Sequence, residues 1–224
     1  MDDVKWERAA GAGGILFVVL TFVGGFAAGS PPKTSDSAGK IAKYFADNES
    51  AIRWGSLLTI VATIFIVWWA ASVFRMMQRA SGNPRLGVVA VAGVAIASVC
   101  GIVTAVIYST VAILGANGAG GPNGEKFFYV LGTNMNAGTA LGAAIFVGSI
   151  SAVILRTGVL PKAIGALGAL AALLNVASTG LAASNRDVFF ALSIAGFLVS
   201  MLFILIVAVM TLRGPQAPAE AAVA

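Results

Sequence analysis

The chain of 224 residues contains no histidine, a single cysteine (Cys100), and only 14 Lys and Arg with 9 Asp and Glu, so charged residues make up 10% of it. Each shortage excludes something. One cysteine rules out a disulfide scaffold. Without histidine, a Ser-His-Asp triad is impossible, and zinc and haem sites of the usual kinds lack ligands. A soluble domain carries about a quarter charged residues, so this chain cannot cover a globule in water. No phosphate-cradling or dinucleotide-binding glycine motif is present; the Gly-rich run 115–124 lacks the Lys-Ser/Thr pair and the strand context. The net charge of +5 is scattered between apolar runs and is not gathered with aromatics into a phosphate-tracking stripe, which argues against nucleic acid.

What the sequence has in abundance is apolar length, at 58% of residues and a mean hydropathy of +0.93. Stretches free of Asp, Glu, Lys and Arg run 9–29, 54–74, 86–124, 127–155, 163–185 and 188–212. Each meets the roughly 20 residues that cross a hydrocarbon core of about 30 Å. The third is too long for one helix, and its end, from Gly115 to Gly124, reads as a loop, leaving 86–114. Alternation of polar and apolar residues, the mark of a transmembrane barrel, is missing. The expected fold is all-α, a polytopic six-span transmembrane bundle occupying residues 1–213, followed by a disordered cytoplasmic tail over 214–224. A cleaved leader ending near Ala27-Ala28-Gly29 is the rival for the first run, but Asp2, Asp3 and Glu7 crowd its start and its length suits a retained span.

Loop charges orient the bundle. With the N-terminus inside, the inner turns hold Arg75, Arg79, Arg85, Arg156 and Lys162, against Lys126 and Arg186 in the third and fifth outer connections. The first outer loop, with Lys33, Lys40, Lys43 and Arg53, is the exception. Aromatics suit interfacial anchoring: Trp54, Tyr108, Phe127, Phe128, Tyr129, Phe189 and Phe190 at outer ends, Trp6 and Trp68-Trp69 nearer the inner side. The tryptophan pair is expected to face lipid.

Small residues recur at four-residue spacing in Gly25/Gly29, Gly93/Ala97/Gly101, Gly138/Gly142 and Gly165/Ala169, which lets helices approach closely inside the bundle. The inner turns Arg79–Arg85 and Arg156–Lys162 share a basic residue, a glycine and a Pro-basic pair. That pattern suits helical hairpins that stop on Gly and restart on Pro better than it demands an internal repeat. In the first outer loop, Ala38, Ile41, Tyr44 and Phe45 fall at helical spacing behind a candidate N-cap, Ser35. A short amphipathic helix follows, lying on the outer leaflet or capping the bundle, as a lid or a docking surface.

Two segments carry a resemblance: Leu155-Arg156-Thr157-Gly158-Val159-Leu160-Pro161-Lys162 with Ile164-Gly165, and Ala28-Gly29-Ser30-Pro31-Pro32 with the stretch from Ser37 to Asn48. On these the chain resembles a large set of bacterial, mostly actinobacterial, integral membrane proteins classed only as a domain of unknown function. Many relatives place Trp after the Pro-basic pair, where Ala163-Ile164 stands here. The resemblance implies a six-helix fold in the bacterial plasma membrane and brings no activity, catalytic residue or cofactor.

No ionisable side chain lies within a span, whereas proton relays and charged-substrate paths ordinarily use one. The candidate site is therefore an uncharged polar layer of Asn134, Asn136 and Asn175 with Thr59 and Thr63, joined at similar depth by Thr21 and Cys100. It lines a ligand cavity, or it consists of interhelical hydrogen bonds worth about 1 kcal/mol each. Cys100 among small neighbours reads as a packed thiol. The expected role is a non-enzymatic membrane subunit, with no metal or cofactor, that binds a partner or an apolar or amphipathic ligand. Its partners are the lipid bilayer and another membrane protein or a second copy. The alternative is a permease for a small neutral solute. A third reading, a lipid-modifying enzyme using Asp36 or Asp47, has the least support.

The charge count generates a first prediction. Compartment-sensitive reporters fused to either end of the chain should both report cytoplasm; opposite sides would overturn the six-span count, and both outside would overturn the orientation.

Overall fold

A computed structural model describes residues 3–184 and 187–213. The expected tail 214–224 lies outside the described residues. Among those described there are helices and no strands: α1 (Asp3–Phe26), α2 (Ala38–Asp47), α3 (Glu49–Ser81), α4 (Arg85–Asn117), α5 (Gly121–Thr157), α6 (Lys162–Ser178) followed by one 3₁₀ turn (Thr179–Ala182), and α7 (Asp187–Arg213). Six are long and apolar enough to cross a membrane. The chain is a polytopic membrane protein.

Helix boundaries follow local chemistry. α3 and α5 end on Gly82 and Gly158 in the left-handed conformation, φ 63° and 67°, with each glycine N–H returning to the carbonyl four residues back. Pro84 and Pro161 then precede α4 and α6. These two turns are thus helical stops and restarts. The Gly-rich run 115–124 is mostly helix, against expectation. α4 continues to Asn117, Gly118 stops it at φ 64°, and α5 restarts at Gly121 with Pro122 in its first turn. Proline is tolerated there because its missing N–H has no helical partner anyway. α5, with 37 residues, is about 55 Å long and outreaches the hydrocarbon at both ends.

The spanning helices close into a ring. α1 packs on α3, α3 on α4, α4 on α5, α5 on α6, α6 on α7, and α7 returns to α1. Glycine makes several of these seams. At Gly24 of α1 and Gly55 of α3, a side chain on either would meet the other's carbonyl oxygen at 2.4–2.6 Å. Gly142 of α5 lies against the Ala97 backbone and the Gly93 carbonyl of α4. Gly11 and Gly14 set α1 against Leu212 and Ala208 of α7. The pair expected at Gly25 and Gly29 does not pack: a side chain on either would find nothing within 4 Å, because α1 ends at Phe26 and the seam runs through Gly24.

Two apolar clusters result. The larger fills one half of the ring around Trp69, Val73, Met77, Phe146, Ile150, Phe203 and Val207. Of the tryptophan pair, Trp68 is exposed and touches Trp6, whereas Trp69 is fully buried against Phe146. The expectation that both face lipid fails because consecutive helical residues point about 100° apart. The smaller cluster lies at the other end, where Ile41 and Phe45 of α2 press on Val111, Ala112 and Tyr129. Outward faces remain greasy throughout, with Val19, Ile64, Val99, Leu173 and Leu202 all exposed. Water would penalise that surface by about 25 cal/mol per Å², and lipid would not.

Because a Cβ at residue 142 meets backbone at 2.4 Å, Gly142→Ala should destabilise the detergent-solubilised protein by about 1–3 kcal/mol, read as a lowered melting temperature. An unchanged melting temperature would mean that α4 and α5 do not pack in this register.

Candidate functional site

Between the two clusters the ring is incompletely filled. A cavity of about 160 Å³ lies near the middle of the helices and touches all six of them. Phe146, Ile66 and Ile204 bound it on the side of the larger cluster, and Phe17, Phe197 and Met201 supply more apolar wall. Its polar groups are uncharged. α3 contributes Thr59 and Thr63, α5 contributes Asn136 and Thr139, α6 contributes Asn175, and α7 contributes Ser193 and Ser200.

Four of the five residues of the expected polar layer, Thr59, Thr63, Asn136 and Asn175, therefore meet around one space, with Thr21 beside them. Asn134 does not join them. It is exposed on the α5 face that also carries Phe127, Leu131 and Leu141, and a two-residue step turns a helical side chain by about 200° from Asn136. Cys100 packs beside the cavity against Gly138, as a small core residue does.

The polar groups are used unequally. Thr59 and Thr63 donate to their own helix, to the carbonyls of Gly55 and Ile60. Asn175 is a clamp. Its amide nitrogen reaches the Ala171 carbonyl at 2.8 Å, the Gly196 carbonyl at 3.3 Å and Ser200 Oγ at 2.8 Å, joining α6 to α7. Ser178 donates to the Asn175 carbonyl. The Thr21 and Thr139 hydroxyls are buried with no partner among the described residues. Asn136 lines the cavity and is itself exposed, and no described group bonds its amide. Asn136, Thr21 and Thr139 thus keep hydrogen-bonding capacity that the protein itself does not use, a state costly to leave unmet away from water.

Above the cavity, at the end where the connections are longest, sits α2. Its N-cap is Ser37, which accepts from the Lys40 N–H at 3.3 Å; the expected cap, Ser35, lies two residues too early. Asp36 serves the preceding turn instead. Its carboxylate accepts from the Lys33 N–H and the Lys40 ammonium, both at 2.9 Å, and these contacts hold its pKa below the ordinary 3.8. Asp47 pairs with Lys43 at 2.9 Å. Three long-range bonds strap the segment down: Lys126 Nζ to the Asp36 carbonyl at 2.7 Å, Tyr129 OH to the Pro32 carbonyl at 2.5 Å, and Tyr44 OH to the Ala28 carbonyl at 3.2 Å. Tyr44 is half-buried, and desolvation raises its phenol pKa above 10. α2 therefore caps α4 and α5 and does not float on a membrane surface.

Sequence reasoning missed two features here. Tyr108 and Tyr129 were expected as interfacial anchors, yet they cluster under α2 with Phe45 in tilted and edge-on contacts, ring centres 5.4–6.0 Å apart. Glu125, which reads as a loop charge beside Lys126, is 2% exposed, and its Oε2 has no partner among the described residues. It packs against Gly115 and Gly120, which have no side chain to exclude it. A carboxylate directly after a Gly-rich run was the available signal.

A ring of six apolar helices with an uncharged interior space and a helical cap defines a polytopic membrane protein. The chain belongs to the family described as Domain of unknown function (DUF4386), whose model matches residues 9–212. No curated protein and no solved structure matches it.

Two predictions follow from this geometry. Asn175→Leu, which keeps size and removes the clamp, should lower stability by about 1 kcal/mol and speed amide exchange at the α6–α7 seam; unchanged exchange would assign the clamp no role. For Asp36, a lowered pKa means that the Lys33 and Lys40 contacts are complete above pH 3.8 and are lost only as pH falls through the lowered value. Protection of the Lys33 amide should hold from neutral pH down to about pH 4 and be lost only under more acidic conditions; loss near pH 6 would contradict the contact.

Proposed function

We propose that the protein is a non-enzymatic receptor or subunit of the bacterial plasma membrane, with both termini cytoplasmic, that holds a small uncharged ligand in the central cavity. The observation that carries this reading is a space bounded by all six spanning helices in which Asn136 offers an amide that no described group engages. Size limits the ligand. At about 160 Å³ the space compares with an engineered cavity of about 150 Å³ that binds benzene, so it suits a ring-sized molecule or the end of a short amphiphile, not a whole phospholipid. Charge limits it too, since no ionisable residue lines the wall and an ion there would be uncompensated. An apolar body with one hydroxyl or amide matches the wall: aromatic and aliphatic on one side, Asn136 and the threonines on the other.

Benzyl alcohol serves as a neutral probe and benzoate as its charged counterpart. Benzyl alcohol should raise the melting temperature of the purified protein and benzoate should not. Asn136→Leu should weaken the benzyl alcohol effect about fivefold, the loss of one ordinary hydrogen bond. Equal response to both probes, or indifference to Asn136→Leu, would refute the cavity as the site. The permease reading draws on the same observation, since carriers place their sites near mid-membrane between helices. Benzyl alcohol is membrane-permeant, so flux is measured with a polar neutral solute such as glycerol in proteoliposomes: saturable flux lost in Asn136→Leu would favour transport, and its absence favours binding alone.

A further inference from the structure

A second cavity, of about 360 Å³, lies at the opposite end from α2, where α1 begins and α7 ends. It is built from α1, α3, the turn between α5 and α6, and α7. Its rim carries an ion pair between helices far apart in sequence: Arg79 Nη1 lies 2.6 Å from Glu7 Oε1. The Glu7 side chain is 16% exposed and that of Arg79 is 57% exposed, so the pair faces outward from a sheltered edge. Ser72 lies at the deep end. It is 4% exposed, and its hydroxyl is buried without a partner among the described residues. One turn further along the same face of α3, the Trp69 indole N–H is also buried and unpartnered among them. Between rim and depth the wall is apolar, with Met76, Leu160, Val207 and Met210.

Distance along α3 makes this arrangement specific. Ser72 and Arg79 are seven residues apart, about 10 Å at 1.5 Å per residue, with charge at the rim and an unused donor inside. An amphiphile with a charged head and an acceptor oxygen further down its length matches that spacing. The charges at the rim select among heads. A bare anion beside Arg79 would face the Glu7 carboxylate at close range, and a bare cation beside Glu7 would face the guanidinium. A head that carries both signs opposes neither.

We infer that this cavity binds one zwitterionic glycerolipid, with its phosphate at Arg79, its ammonium at Glu7, and an ester carbonyl accepting a hydrogen bond from Ser72. The two methionines suit a chain of variable shape, because the thioether side chain is unbranched and adaptable. A volume of about 360 Å³ is at the small end of ligand pockets, enough for the head and the first carbons while the remaining chain stays in the bilayer. This site is separate from the central cavity and does not depend on the function proposed for it.

The full-length protein in mild detergent is titrated with phosphatidylethanolamine and, separately, with anionic phosphatidylglycerol, and bound lipid is counted by native mass spectrometry. One phosphatidylethanolamine should be retained in preference to phosphatidylglycerol. Glu7→Gln should erase that preference, and Ser72→Ala should weaken phosphatidylethanolamine retention about fivefold. Met210→Trp, which fills the cavity from α7, should abolish retention and guards against a folding defect peculiar to α3. Tighter binding of phosphatidylglycerol, equal binding of both lipids by the unaltered protein, or retention unaffected by Met210→Trp would each overturn the assignment. Asn136→Leu leaves this site intact and should not alter the lipid count, which separates failure here from failure of the central cavity as a site.

Discussion

Helices in lipid gain nothing by hiding apolar surface from one another, since the surrounding chains are as apolar as leucine. What holds this bundle together must therefore be close contact, and the closest contacts run through glycine. Gly24 on Gly55, Gly142 on the backbone of Ala97, and Gly11 and Gly14 on α7 bring backbones to distances that any side chain would prevent. Each seam joins a different pair of helices, and together with the α3–α4 and α5–α6 hairpins they leave one arrangement, a ring in which the last helix returns to the first.

A ring of six has a consequence that a smaller bundle escapes. Side chains must fill the centre as well as the seams, and here they do so only in the half that contains Trp69, Phe146 and Phe203. Toward the cap, the residues that face inward are Thr59, Thr63, Ser98, Asn136 and Ser193, too short to meet across the middle. The cavity arises from this change in side-chain size along the helices. Its chemistry follows from the same residues: hydroxyls and amides can sit in lipid-enclosed space without the cost of a buried charge. The charges sit at the two ends, in the strap around Asp36 and Lys126 and in the Glu7–Arg79 pair.

Much of the architecture was legible from composition, because backbone that crosses lipid must be helical and uncharged windows of twenty residues mark where it does so. Gly82 with Pro84 and Gly158 with Pro161 announced the α3–α4 and α5–α6 turns, since left-handed stops and proline restarts are local devices. α2 was visible in the spacing of Ile41, Tyr44 and Phe45. Which side of each helix faces inward was not legible. A lipid-facing surface and a packed surface are both apolar, so neither the separation of Trp68 from Trp69 nor that of Asn134 from Asn136 carries a polarity signal. Depth along a span can be counted; rotation about its axis depends on neighbours far away in sequence. The same reason hid the ion pair between Glu7 and Arg79, which lie 72 positions apart.

The contact that distinguishes a closed ring from an open row of hairpins is that between α1 and α7. Phe22 of α1 and Phe197 of α7 meet with ring centres 5.5 Å apart, so replacing both by the smaller cysteine leaves the seam uncrowded. The decisive measurement is cross-linking of the double variant Phe22→Cys, Phe197→Cys in membranes with a short bifunctional thiol reagent, with Cys100→Ala removing the native thiol. Efficient cross-linking within one chain is the result expected from the ring. Cross-links only between chains, or none while a control pair at Trp6 and Trp68 of α1 and α3 reacts, would show that the helices do not enclose a central space.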